Sequence, residues 1–173
     1  MSYIRPMALV LMVVAALGLR AAAAAVTFAT IRQMSPAEKQ AIQHYFRAHS
    51  LEFPNIFGRH HPGPYWILEN ARAFRLTPKE IREELRLKIG MARRTVIDVQ
   101  VLKRRYARYE MAARARHPSL KALRADIRAV GAAEAALAYE MMPYHLRSYA
   151  LLTGRQKTIY WQLVAPLGPD PRQ

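Results

Sequence analysis

The side chains best suited to bind a transition metal are histidines and a methionine in two segments with helical character. His44 and His49 are five residues apart, which places them about 140° around a helix of 3.6 residues per turn. They would therefore need other ligands to hold one ion. Met141 and His145 have the more favourable spacing of four, although Pro143 between them should kink the helix. These four residues are one candidate metal site, and surface or hydrogen-bonded histidines are the simpler interpretation.

Catalytic patterns are missing from the sequence. The chain has no Cys, which excludes a disulfide framework, a thiolate metal site and a cysteine nucleophile. It has no nucleophile elbow, phosphate-binding loop or HExxH motif. Glu83 and Glu84 are adjacent and so face different directions on a helix. We therefore predict that the protein is not an enzyme.

Two near-copies of one motif, Leu-Thr-x-x-Gln/Glu, stand in the chain. The first runs from Leu76 to Glu80 and the second from Leu152 to Gln156. In each copy the Thr hydroxyl can cap a helix while the Glu or Gln three residues later reaches back, which predicts helix starts at Thr77 and Thr153. Ser35 opens a similar capping box.

The elements that position these motifs are predicted to be helices only. A first helix runs from Ser35 to about His49, residues 51–63 are irregular, and Pro64 starts a short helix. After Pro78 apolar residues recur at spacings of three and four for about five heptads. The predicted seam of this long helix consists of Ile81, Leu85, Ile89, Ala92, Val96, Val99, Leu102, Tyr106, Tyr109 and Ala113.

A second long helix is predicted from Ser119 to Leu151, with Leu120 and Ile127 in its seam. A tight turn before Ser119 makes the pair a long antiparallel hairpin with short flanking helices. Counting outward from the turn brings Thr77 close to Thr153. It also places Lys103 opposite Glu134, and we expect these two to pair because an unpaired charge in a seam is costly.

The first long helix is strongly basic and has few acidic partners at a spacing of four. Such a face suits loose binding of unfolded or acidic proteins, and it suits a homodimer interface equally well. A solvated helix face is the simplest alternative. The candidate partner-binding residues are Arg93, Arg94, Arg104, Arg105, Arg108, Met91, Ile97 and Val101.

On this interpretation the chain is an exported protein with a single folded domain. Residues 1–25 have Arg5, an apolar run and five alanines, the pattern of a signal peptide, with an uncleaved membrane anchor as the alternative. Residues 26–165 form the all-α domain and residues 166–173 a disordered, Pro-rich tail. The net charge of +15 suggests an anionic partner. Export makes a nucleic-acid partner unexpected.

The paired motifs, with the predicted hairpin and leader, resemble the LTxxQ-motif family of exported bacterial proteins. Its members include Spy- and CpxP-like periplasmic chaperones and periplasmic heavy-metal-resistance sensors. The resemblance covers residues 74–163 and implies a small all-α fold, often dimeric, in the periplasm or anchored to the inner membrane facing it. It implies a chaperone or stress-response role, restraint of a membrane sensor protein, or metal sensing with Zn, Cu, Ni or Co. Glu80 departs from the usual Gln, and Gly154 replaces a frequent Pro.

Overall fold

The computed structural model describes residues 33–167, and all regular secondary structure in this range is helical. The all-α class is therefore confirmed. The predicted leader and residues 168–173 lie outside the described residues. The helices are α1 Pro36–His49, α2 Phe53–His60, α3 Pro64–Glu69, α4 Ala71–Phe74, α5 Pro78–Ala113, α6 Leu120–Tyr139, α7 Met142–Leu151 and α8 Gly154–Val164, followed by a 3-10 turn Ala165–Leu167.

The predicted caps start four of these helices. Ser35, Thr77 and Thr153 each form a complete capping box at the start of α1, α5 and α8. The hydroxyl of Ser119 accepts a hydrogen bond from the Ala122 amide, 3.3 Å away, at the start of α6. Each cap satisfies amide donors that have no partner within their own helix. The helix starts predicted at these four residues are confirmed.

The segment predicted to be irregular contains a helix. Leu51 and Glu52 have φ values of 55° and 63°, and this left-handed pair turns the chain after α1. Helix α2 then begins at Phe53 and has Pro54 in its first turn. A proline at that position removes no hydrogen bond, because the amides of the first turn have no intrahelical acceptor. The prediction of an irregular segment over residues 51–63 was wrong for this reason.

The helix predicted to continue to Leu151 is interrupted. Helix α6 ends at Tyr139, and α7 begins at Met142 after a turn at residues 140–141. Pro143 has no amide hydrogen to donate to the carbonyl one turn earlier, and its ring clashes with that carbonyl, so a proline inside a helix kinks or breaks it. The expected kink is a complete break that divides the segment into α6 and α7.

Helices α5 and α6 pack against each other, and their contacts run in opposite directions along the two helices. Near the turn Arg108 Nε lies 2.7 Å from Asp126 Oδ1, and farther away Arg94 Nη2 lies 3.2 Å from Glu140 Oε1. Between these pairs is core A, to which α1 also contributes. Core A consists of Phe46, Val99, Leu102, Val130, Ala133 and Leu137.

A second cluster, core B, is built from α3, α4 and α8 and from Leu152, which lies between α7 and α8. Tyr160 of α8 and Ile67 of α3 are completely buried in it. The Tyr160 hydroxyl donates a 2.8 Å hydrogen bond to the Pro62 carbonyl, so this buried polar group is satisfied. Core B consists of Ile67, Phe74, Leu152, Tyr160 and Val164.

Several predicted seam residues are exposed, and neighbouring carboxylates are buried instead. Leu85, Leu120 and Ile127 are 41%, 82% and 56% exposed, whereas Glu84 and Asp126 are 1% and 4% exposed. Adjacent helical positions differ by about 100°, so each carboxylate occupies the inward direction that we had assigned to the residue after it. Those seam assignments were wrong. None of the helices within residues 33–167 has the length and apolarity needed to cross a membrane.

Candidate functional site

The two motif copies meet through a side-chain hydrogen bond. Glu80 Oε2 accepts from the Thr77 amide at 2.7 Å, and Gln156 Oε1 accepts from the Thr153 amide at 2.8 Å. The remaining polar atoms face each other, and Gln156 Nε2 donates to Glu80 Oε1 at 3.2 Å. Gln156 Nε2 also lies 3.4 Å from the Phe74 carbonyl. The proximity that the residue count predicts for the two motifs is therefore present.

Glu80, which stands where the motif usually has Gln, supplies the acceptor in this contact. Each box uses one side-chain oxygen on its own cap, so the bond between the boxes needs one donor and one acceptor. Glu80 provides the acceptor, and hydrogen bonds from Thr77 hold the pKa of its carboxyl below the ordinary value. Of the two motif leucines, Leu152 is a buried member of core B and Leu76 packs against that cluster.

Four arginines form a row along the outer side of α5. Their positions lie within about 40° of one another around the helix and extend about 33 Å along it. All four are exposed, and none forms an ion pair with a carboxylate of another described residue. This outer arginine row consists of Arg82, Arg86, Arg93 and Arg104.

Two arginines predicted to bind partners are instead engaged within the molecule. Arg94 contacts both Asp98, at 3.0 Å, and Glu140, at 3.2 Å. Arg108 pairs with the buried Asp126. Both pairs compensate a carboxylate removed from water, which makes them structural contacts.

The other predicted surface residues divide between exposed and packed positions. Arg105 is exposed but lies about 140° around α5 from Arg82, away from the row. Ile97, beside the row, is half-buried, as is Met91. Val101 packs against core A. The apolar component of the predicted surface is therefore smaller than the sequence pattern suggests.

Arg82 and Arg86 did not appear among the predicted binding residues. The available signal was a spacing of eleven residues from Arg82 to Arg93 and from Arg93 to Arg104. Eleven residues make very nearly three helical turns. Residues eleven apart therefore lie on the same side of a helix and form a row along it.

His49 has partners within the fold. Its Nδ1 lies 3.3 Å from Glu134 Oε1, which also accepts a 2.7 Å hydrogen bond from the Tyr106 hydroxyl. This hydrogen bond raises the pKa of Tyr106 to about 12. Lys103, the predicted partner of Glu134, instead places its Nζ 4.8 Å from the centroid of the Tyr45 ring. The predicted Lys103–Glu134 pair was wrong, because Glu134 is directed toward α1.

His145 is held in a different environment. Its Nδ1 lies 2.8 Å from the His61 carbonyl, and its ring packs so closely on Gly63 that an added Cβ there would lie within 3.0 Å of three ring atoms. Burial lowers the pKa of His145, which favours the neutral ring.

The remaining metal candidates do not join either histidine in a common site. His44 is exposed on α1, and Met141 packs against core A. Within residues 33–167, no three His, Asp or Glu side chains are grouped so that they could hold one metal ion.

Glu84, which the predicted seam leaves on the outside of the long helix, is a buried carboxyl with a shifted pKa. The Ser148 hydroxyl donates a hydrogen bond to its Oε2, while its Oε1 has no partner among the described residues. Burial raises the pKa of Glu84 to about 7, and the nearby Glu83 and Glu80 add to the effect. Perturbed carboxyls often mark active sites. Both Glu84 and Ser148 are almost completely inaccessible, however, so they form an internal contact between α5 and α7.

Comparison with known proteins gives no match, because no family model, no curated protein and no solved structure was found to be similar to this chain.

Proposed function

We propose that this protein is an exported, non-catalytic envelope protein of the LTxxQ type that binds unfolded or acidic polypeptides through the outer arginine row. The observation that carries the proposal is the row itself, four exposed arginines in line on α5 without internal ion pairs among the described residues. An acidic segment of a membrane sensor protein would be bound by the same forces.

The dimensions of the row suit an extended chain. Its length of about 33 Å matches roughly ten residues of extended polypeptide. Guanidinium groups pair with carboxylates in a planar, bidentate geometry, and their long side chains adapt to different positions. Exposed ion pairs each contribute little, about 0–1 kcal/mol, so binding along the row is weak and tolerant of sequence. Weak, tolerant binding is what a chaperone for unfolded chains requires.

In this proposal α5 and α6 act as a long antiparallel hairpin, and two copies associate into a homodimer. Support for association comes from exposed apolar residues on and before α2, where Leu51, Phe53 and Ile56 are 56%, 55% and 46% exposed. Large apolar side chains grouped in this way are typical of surfaces that contact another protein. Light scattering coupled to size-exclusion chromatography should give a dimer mass that a Phe53→Ser/Ile56→Ser variant reduces to that of a monomer.

The polypeptide-binding proposal is tested with an acidic client protein unfolded by reduction of its disulfides. The protein should suppress the light scattering of the aggregating client, and this effect should fade at high salt because screening weakens exposed ion pairs. An Arg82→Gln/Arg93→Gln/Arg104→Gln variant should lose most of the suppression. Glutamine is a good helix former, so the variant should keep its helical circular dichroism.

A matched control removes the same charge elsewhere. Arg47, Arg72 and Arg155 are exposed and lie outside α5. Their triple replacement by Gln should leave most of the suppression intact. Equal losses in the two variants would show that net charge alone acts, and full activity of the row variant would overturn the proposal.

A further inference from the structure

The first three turns of α6 carry an exposed strip of apolar side chains beside a strip of cations. Leu120 is 82% exposed, Ile127 is 56% exposed and Leu123 is half-buried. These three lie within about 60° of one another around the helix. The cations lie on the other side of Leu120, about 40–100° around the helix from it. The α6 face, as we call it, consists of Leu120, Leu123, Ile127, Lys121, Arg124 and Arg128.

No free carboxylate of the described residues neutralises this end of the molecule. Asp126 is buried and paired with Arg108 at 2.7 Å. Glu110 lies 3.7 Å from Arg114. The three cations of the α6 face are all exposed and form no ion pair with a described residue. The face therefore fits an anionic partner.

The geometry points to a surface and not to a peptide. All six side chains come from consecutive turns of one helix, so the strip has no facing wall. A peptide bound in a groove needs apolar side chains on two sides to bury its anchors. A second copy of this chain would bring one set of cations against another. A helix lying on a bilayer needs only an apolar strip and flanking Lys or Arg side chains that reach the lipid phosphates.

We propose that the α6 face docks this protein on anionic lipid bilayers, with Leu120 and Ile127 entering the headgroup region and Lys121, Arg124 and Arg128 contacting phosphates. This activity is separate from polypeptide binding, since α5 carries the outer arginine row and α6 the docking face. The interaction is reversible, because a short apolar strip with three cations is far weaker than a membrane-spanning helix.

The test uses the full chain and a local reporter, so that other lipid-binding segments do not obscure the result. The sequence has no cysteine, and Ile127→Cys therefore introduces a single thiol for an environment-sensitive dye. The matched control is Ala125→Cys, an exposed position on the same helix about 160° from Ile127. The probes are phosphatidylglycerol–phosphatidylcholine vesicles and vesicles of phosphatidylcholine alone.

The dye at position 127 should shift to the blue with anionic vesicles and not with phosphatidylcholine, and the dye at position 125 should not respond. Replacing Lys121, Arg124 and Arg128 by Gln should weaken vesicle binding about a hundredfold at low salt. The Arg82→Gln/Arg93→Gln/Arg104→Gln variant should weaken it much less. No shift at position 127, or equal shifts at both positions, would overturn the proposal. A shift caused by an acidic polypeptide but not by vesicles would also overturn it.

Discussion

Burial of the Glu84 carboxyl couples its protonation to folding. Its pKa in the fold is raised from 4.5 to about 7 because burial disfavours the charged form. The stabilisation from keeping the proton is therefore complete below pH 4.5 and is lost as the pH rises through about 7. His145, whose pKa is lowered by burial, acts in the opposite sense and loses stability as the pH falls.

A Glu84→Gln variant should separate the contribution of Glu84 to stability from that of His145. Glutamine keeps the acceptor for Ser148 but cannot ionise, so the variant should be more stable than the wild type at about pH 8, by roughly 2–3 kcal/mol. At about pH 5 the two proteins should differ by less than about 1 kcal/mol. Urea unfolding at both pH values measures the change. Glu83→Gln, at the half-buried neighbouring position, keeps Glu84 and is the control, so its free energy of unfolding should fall with rising pH as that of the wild type does. A constant difference between Glu84→Gln and wild type would contradict the assigned burial cost.

The sequence could not identify Glu84 as the buried residue. The heptad pattern places Leu85 in the seam, and a leucine is the more common core residue. What reverses the choice is Ser148, sixty-four positions later, which supplies a hydrogen bond to the carboxyl. Asp126 is likewise buried beside Arg108 and not predicted. Partners distant in sequence decide such positions, and a local pattern contains no information about them.

At the scale of elements, local signals predicted four helix starts and missed helix α2. Ser35, Thr77, Ser119 and Thr153 act through hydrogen bonds within four residues, which is why their caps could be predicted. Helix α2 was missed because its proline and glycine suggest a loop, although Pro54 occupies a first-turn position where it is tolerated.

Two helical glycines provide a matched test of packing against helix propensity. A Cβ on Gly131 of α6 would have no neighbour within 4 Å, whereas one on Gly90 of α5 would lie 3.0 Å from Tyr144 Cε1. Gly131→Ala should therefore stabilise the protein by about 0.5–1 kcal/mol, since alanine loses less backbone entropy in a helix. Gly90→Ala should gain nothing or lose stability, because the Tyr144 ring must move. Thermal unfolding of both variants measures these changes in stability. Equal gains would mean that the Tyr144 ring moves aside at no cost in free energy.

At the scale of the whole molecule, the described residues 33–167 contain two core clusters, and one long helix joins them. Core A lies between α1, α5 and α6, and core B is formed by α3, α4, α8 and Leu152 before α8. Helix α5, about 54 Å long for its 36 residues, contributes to core A and packs against α3 at its other end. Separate clusters of this kind can open as separate cooperative units.

Hydrogen exchange on two core variants should reveal these units. Leu102→Ala removes a completely buried side chain from core A and should cost about 2–5 kcal/mol. The free energy of opening measured at the amides of α6 should fall by that amount, and the free energy measured at the amides of α8 should fall by less. Ile67→Ala in core B is the reciprocal variant and should reverse the order. Equal losses in both helices would show that the described fold opens as one unit.

The hydrogen bond between Glu80 and Gln156 also has an evolutionary consequence. Because each side chain uses one oxygen on its own cap, the contact needs a donor at one position and an acceptor at the other. Changing either residue alone to match the other leaves two donors or two acceptors facing each other. The positions therefore form an epistatic pair, and a lineage that exchanges Glu and Gln between the motifs must pass through a mismatched intermediate.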